Sequence, residues 1–168
     1  AEANDKARIF GTYQREVMGM ARVASRVPVP SGSAAVALEV FTREKVGVEG
    51  DTLADSFLGG VMQGRFRSNV VHYRSIEEAA KALREDGIVA IMAPIGELEA
   101  ALRGDTRFVI DEVKLGELSQ KSWPIGMAVK AEAGELAGSL STALAALQQD
   151  GTVEAIFKRH GVSLRSAR

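Results

Sequence analysis

The stretch from Trp123 to Leu164, WPIGMAVKAEAGELAGSLSTALAALQQDGTVEAIFKRHGVSL, leaves this chain few folds to choose from. It reads as an apolar strand, a helix opened by acids, a break at Gln149-Asp150-Gly151-Thr152, and a short helix ending at Gly161. The long helix repeats leucine at helical spacing through Leu136, Leu140, Leu144 and on to Leu147. Its alanines favour the helix, and its leucine stripe needs an apolar layer to cover it.

Upstream, glycine and proline punctuate the chain roughly every 15–20 residues, as strand–helix alternation requires. Pro28, Pro30 and Gly32 close a first block, and Ser33–Phe41 then reads as a long apolar strand. Lys45–Val48 is a short strand, and Asp51 reads as the N-cap of a helix through Met62. Gly59, Gly60 and Gly64 make that helix end early or pack closely. Asn69–Tyr73 alternates as a strand, and Ser75 with Glu78 forms a capping box for a helix to Arg84. Ile88–Ala93 is an unbroken apolar run, the pattern of a central parallel strand buried on both faces. A short helix at 96–103 and a strand at 108–113 complete the series, which predicts an open α/β sheet.

Composition narrows the function classes. The chain has 168 residues, 46% apolar and 26% charged, with a net charge of −1. That is globular composition with charges of both signs scattered, and no basic run offers a nucleic-acid stripe. No apolar run approaches the roughly 20 residues of a membrane span. Cysteine is absent, so disulfides and thiolate metal sites are excluded. His72 and His160 lie far apart, and nothing supports a zinc site or a Ser-His-Asp site. No pair of acids demands acid–base catalysis, so no catalytic residue is expected.

In open α/β sheets ligands bind beyond the carboxyl ends of strands, near helix N-termini. Unpaired N–H groups there favour anions. Val46–Thr52 has this form: the strand ends at Val48, Gly50 permits a tight turn, and Thr52 offers a hydroxyl and an N–H. Strand–Gly–cap–helix turns of this kind are also common without any ligand.

The order of Trp123–Leu164 resembles the C-terminal signature of family 3 extracytoplasmic solute-binding proteins, the amino-acid-type binding subunits of ABC importers. The resemblance implies a class II periplasmic-binding-protein-like α/β fold. Such a fold has two lobes of open, mostly parallel sheet with flanking helices, and holds a small molecule in an inter-lobe cleft. It implies no enzyme activity and no cofactor. Three further segments carry the likeness. Val46-Gly47-Val48-Glu49-Gly50-Asp51-Thr52 aligns with the segment that opens the second lobe, whose Gly-Thr pair contacts the ligand carboxylate. This implies Gly50, Asp51 and Thr52 as ligand contacts, although Asp51 replaces a small residue and would repel a carboxylate.

Thr12-Tyr13-Gln14-Arg15 has the spacing of the family's T-x-x-R segment, implying Thr12 and Arg15 as contacts, with Arg15 as a bidentate carboxylate clamp. Val23-Ala24-Ser25 stands where the aliphatic strand follows, and Pro28 where a Pro-Tyr turn follows. Val29 and Phe10 depart from the family's tyrosine and serine. The third segment is Gly87–Ile95, where the family's two acids are replaced by Ala90 and Ile95. A ligand ammonium left unpaired at Ile95 would cost on the order of several kcal/mol. Trp123, on the strand returning to the first lobe, is implied at the hinge or cleft.

On this resemblance residues 1–45 form the end of lobe 1 and a hinge strand, 46–116 lobe 2, and 117–168 the return to lobe 1 with its C-terminal helices. The family's N-terminal β-α-β portion has no counterpart, so lobe 1 is expected to be incomplete. A piece of a longer protein is the expectation. A short relative that dimerises or swaps elements, or a first lobe supplied by another chain, would also account for the gap. Ala1-Glu2-Ala3 fits the mature side of a cleaved leader and equally a chain cut at that point.

The functional expectation is a periplasmic binder of a small, anionic or otherwise non-standard solute that serves an ABC permease. One alternative is an accessory protein of a periplasmic quinoprotein alcohol or methanol dehydrogenase, on the loose likeness of Ala93-Pro94-Ile95-Gly96 and Ile125-Gly126-Met127-Ala128-Val129 to that branch. The other is a cyclohexadienyl-dehydratase-like enzyme with Asp51 as its acid.

Overall fold

The computed structural model describes residues 6–167. The elements in order are β1 (Ala7–Arg22), β2 (Ser31–Gly32), α1 (Ala34–Ala37), β3 (Val46–Glu49), α2 (Leu53–Gly64), β4 (Val70–Tyr73) and α3 (Ile76–Arg84). They continue with β5 (Ala90–Pro94), α4 (Ile95–Ala101), β6 (Val109–Glu112), β7 (Lys114–Leu115), β8 (Ser122–Lys130), α5 (Gly134–Gln149) and α6 (Thr152–Arg159). Two compact units result. A central unit spans Val17–Ser122, and a terminal unit combines the residues up to Glu16 with those from Trp123 onward. The division cuts β1 after Glu16 and falls just inside β8. The expectation for Ala1-Glu2-Ala3 lies outside the described residues.

The central unit is built on a sheet ordered β4-β3-β5-β1-β6. β4, β3 and β5 are parallel, while β1 runs antiparallel to both β5 and β6. The sheet is thus mixed, not mostly parallel. Met18 stands opposite Pro94 and Arg22 opposite Ala90, so β5 lies at the centre between β3 and β1. Its buried run is what the unbroken apolar stretch predicts. α3 shows the amphipathic logic plainly. Ser75 caps it, Ile76, Ala79, Ala80 and Leu83 are buried at i, i+3, i+4 and i+7, and Lys81 and Arg84 close its last turn. With Ile88, Ile91 and Leu98 these residues form a core cluster, each large side chain contributing about 1.5–3 kcal/mol by burial. Arg22, 7% exposed, is satisfied by Asp111 at 2.6 Å and by the Val27 carbonyl at 2.7 Å.

Two local expectations fail for physical reasons. Ser33–Phe41 is not a strand: Ser33 caps α1, and a 3-10 turn follows at Glu39–Thr42. Its buried residues, Ala34, Ala37, Leu38 and Phe41, are spaced i, i+3, i+4 and i+7, a helical face that a continuous apolar run conceals. Val23-Ala24-Ser25 is not the aliphatic strand that the resemblance places after Thr12–Arg15. Ala7–Arg22 is one long strand, and Val23-Ala24-Ser25 follows its end. Gly11, at φ +59, interrupts the alternation, and a Cβ there would sit 2.8 Å from Met127 Cε.

In the terminal unit β8 pairs with β1, and α5 and α6 follow. Gly151, at φ +79, separates the two helices at the predicted break, and Asp150 accepts the Thr152 N–H at 2.9 Å. Of the sixteen residues of α5 only Ala137 is buried, while Leu136 is 52% and Leu147 41% exposed.

Candidate functional site

The β3–α2 turn of the central unit is built from its own hydrogen bonds. Val46 and Val48 anchor β3 in the core, and the strand ends at Glu49. Gly50 donates its N–H to the Tyr73 carbonyl at 3.1 Å, which ties the turn to the end of β4. Burial pushes the Tyr73 phenol up from its ordinary value. Asp51 takes φ +60, a left-handed conformation that short polar side chains tolerate. Thr52 then returns to extended backbone and caps α2. The cap is therefore Thr52, one residue later than expected, because Asp51 is used by the turn itself.

The Thr52 hydroxyl is engaged on both sides. It donates to the Glu49 carbonyl at 2.7 Å and accepts the Asp55 N–H at 3.3 Å. Asp55 closes the turn from within the helix: Oδ2 accepts the Asp51 N–H at 3.0 Å, and Oδ1 lies 2.8 Å from His72 Nε2 on β4. Asp55 is 22% exposed and His72 54%. The pair borders a surface groove of ≈ 310 Å³ lined also by Ser56, Gly59, Arg67 and Val70. Regular helix in α2 stops before Val61, which is extended, and Met62 and Gln63 are left-handed, so the helix ends early.

Ile95 opens α4 at 6% exposure. Its Cγ1 packs so closely on Gly19 that a Cβ there would collide with it. Thr12, Arg15 and Trp123 belong to the terminal unit. Thr12 is exposed and lines a groove of ≈ 530 Å³ with Tyr13, Gln148, Glu154 and Leu164–Ala167. Tyr13 meets Phe157 edge-on at 6.4 Å between centroids. Arg15 is half-buried, and its N–H donates to the Arg165 carbonyl at 3.1 Å. Trp123 is half-buried on β8. Sequence reasoning thus named Gly50, Asp51 and Thr52, which do share one turn, and missed Asp55 and His72. The available signal was Thr52-x-x-Asp55, a capping-box spacing. Among the described residues no group of three or more His, Cys, Asp or Glu side chains could hold a metal ion.

This arrangement of a mixed α/β sheet with a helix N-terminus beyond a parallel strand is similar in fold to solved solute-binding proteins of ABC transporters. The sequence matches no protein-family model, and no curated protein matches it. Solved structures do match. The solute receptor for L-cysteine of Neisseria gonorrhoeae aligns at TM-score 0.61 and 18% identity, over 92% of this chain and 57% of that one. An amino-acid ABC transporter substrate-binding protein of Streptococcus pneumoniae bound to L-arginine aligns at TM-score 0.67 and 11% identity, over 92% and 61%. The cysteine-binding protein of Campylobacter jejuni aligns at TM-score 0.63 and 18% identity, over 96% and 61%. At such identities the likeness is one of fold. This chain spans about three fifths of the length of these proteins.

Proposed function

We propose that this chain is an extracytoplasmic solute-binding protein, or the larger part of one, that binds a small molecule without transforming it. The observation that carries the reading is the match of 92–96% of the chain to proteins described as receptors or binding proteins for amino acids. Within the central unit, Gly50, Asp51 and Thr52 of the β3–α2 turn, together with Ile95, are proposed ligand contacts. Within the terminal unit, Thr12, Arg15 and Trp123 are proposed ligand contacts. No helix among the described residues is long and apolar enough to cross a membrane, and a periplasmic site of action with an ABC permease as partner fits the reading. The dehydrogenase-accessory and dehydratase readings gain no observation. Thermal-shift screening of the chain against amino acids, organic acids and polyamines tests the proposal. A saturable rise in Tm with one class is expected, and no response to any of them would sink it.

A further inference from the structure

We propose that the edge of β1 at Gln14 and Arg15 is a docking site for an extended peptide, and that the chain's own segment 163–167 is its resident, exchangeable occupant. Gln14 is 3% exposed, and its amide grips a main chain at two points: Oε1 accepts the Arg165 N–H at 2.7 Å, and Nε2 donates to the Ser163 carbonyl at 3.2 Å. The Arg15 N–H adds a backbone bond to the Arg165 carbonyl at 3.1 Å. A buried side-chain amide must satisfy both of its ends. Any extended backbone in this register meets that need, whatever its side chains.

The resident fills this edge incompletely. Residues 162–167 are neither helix nor strand, and none of residues 161–167 is buried. The segment therefore gains little from apolar burial, and Arg165 Nη1 donates back to its own Ser163 carbonyl at 3.1 Å. Two grooves border it. One of ≈ 530 Å³ is lined by Tyr13, Val153 and Glu154 and by Leu164 and Ser166, which are two residues apart, as side chains on one face of an extended chain are. The other, ≈ 340 Å³, is lined by Glu154 and Lys158 of α6 and by residues 161–164. Strand addition takes its affinity from main-chain bonds and its specificity from such side-chain pockets. Tyr13 and Val153 suit a large apolar side chain at the place of Ser166, and Glu154 suits a basic one beside it. The partner this fits is an extended peptide that carries both. The inference uses the Gln14 side chain and the Arg15 backbone, so it stands whether or not a small solute binds.

The test uses the whole chain in wild-type and Arg165→Pro forms. Proline has no N–H for Gln14 Oε1, so in the variant the tethered segment becomes a poor competitor. The probe is a fluorescent, end-blocked peptide with the sequence of residues 162–167 carrying Ser166→Phe, titrated by anisotropy. Arg165→Pro is expected to bind it saturably and about tenfold more tightly than wild type. Methylating the peptide nitrogen at the Arg165 position, which leaves every side chain in place, should weaken binding about tenfold. No saturable binding to Arg165→Pro, equal affinity for the two chain forms, or indifference to the N-methyl group overturns the inference. Should Arg165→Pro lose its fold by circular dichroism, wild type decides by amide exchange. Excess peptide should then accelerate exchange at the chain's own Arg165 amide, and the N-methyl peptide should not; no acceleration by the unmethylated peptide overturns the inference equally.

Discussion

The side-chain amide of Gln14 holds the backbone of the C-terminal segment at two points: Oε1 accepts the Arg165 N–H at 2.7 Å, and Nε2 donates to the Ser163 carbonyl at 3.2 Å. Gln14 is 3% exposed, so both amide groups depend on these partners. Gln14→Leu is expected to cost about 1–3 kcal/mol, read from urea unfolding, because it strips partners from the segment. Amide exchange at Arg165 should accelerate in the same variant. Unchanged exchange there would show that the segment is held by other contacts.

Gly19→Ala should destabilise the central unit by about 1–3 kcal/mol, because the new methyl meets Ile95 Cγ1, with Leu98 Cδ1 at 3.3 Å behind it. Ile95→Ala alone removes buried volume and is also destabilising. Combined, the two substitutions should cost less than the sum of the singles. Additive losses in a double-mutant cycle would refute the contact.

Acid should weaken the fold through three carboxylates. The N–H of Ala34 holds Glu117 below its ordinary pKa, the Arg107 guanidinium holds Asp105 well below it, and the Thr152 hydroxyl lowers Asp150. A folded-state pKa below the unfolded one gives stability that is present above the ordinary carboxylate range and is lost as pH falls through the folded value. Tm should thus hold steady from neutral pH and decline once pH drops below about 4. Glu117→Gln should show a shallower decline; an identical profile would remove Glu117 from the account.

Leu136 and Leu147 on α5 are expected to be expendable. Substituting each with lysine should change stability by no more than about 0.5 kcal/mol, as at other exposed positions, and should reduce binding of a hydrophobic dye. A large fall in Tm would mean that this face is covered in solution.

The elements that were legible are those whose signals are local. Ser75 announces α3 because its hydroxyl accepts the Glu78 N–H at 3.3 Å, although the Glu78 carboxylate reaches back to the Arg74 N–H. Ile88–Ala93 announces β5 because it is buried on both faces. β1 was hidden because its sixteen residues pass through two environments. Its first half is largely half-exposed, and its last six residues are all buried, so no single period runs along it. The candidate turn was legible through Gly50 and Thr52, whose local chemistry is fixed by sequence. The partnership of Asp55 with His72 was not, because it joins residues seventeen apart through the parallel pairing of β3 and β4 and the packing of α2 beside them.

The fit of Ile95 against Gly19 has an evolutionary consequence. A glycine that leaves space and an isoleucine that fills it become mutually dependent, so each narrows the substitutions the other tolerates. An acid at position 95 would set a carboxylate into a site now 6% exposed, beside the space that Gly19 leaves. A change at either position is therefore better tolerated when the other changes with it, so the pair constrains drift at both sites together.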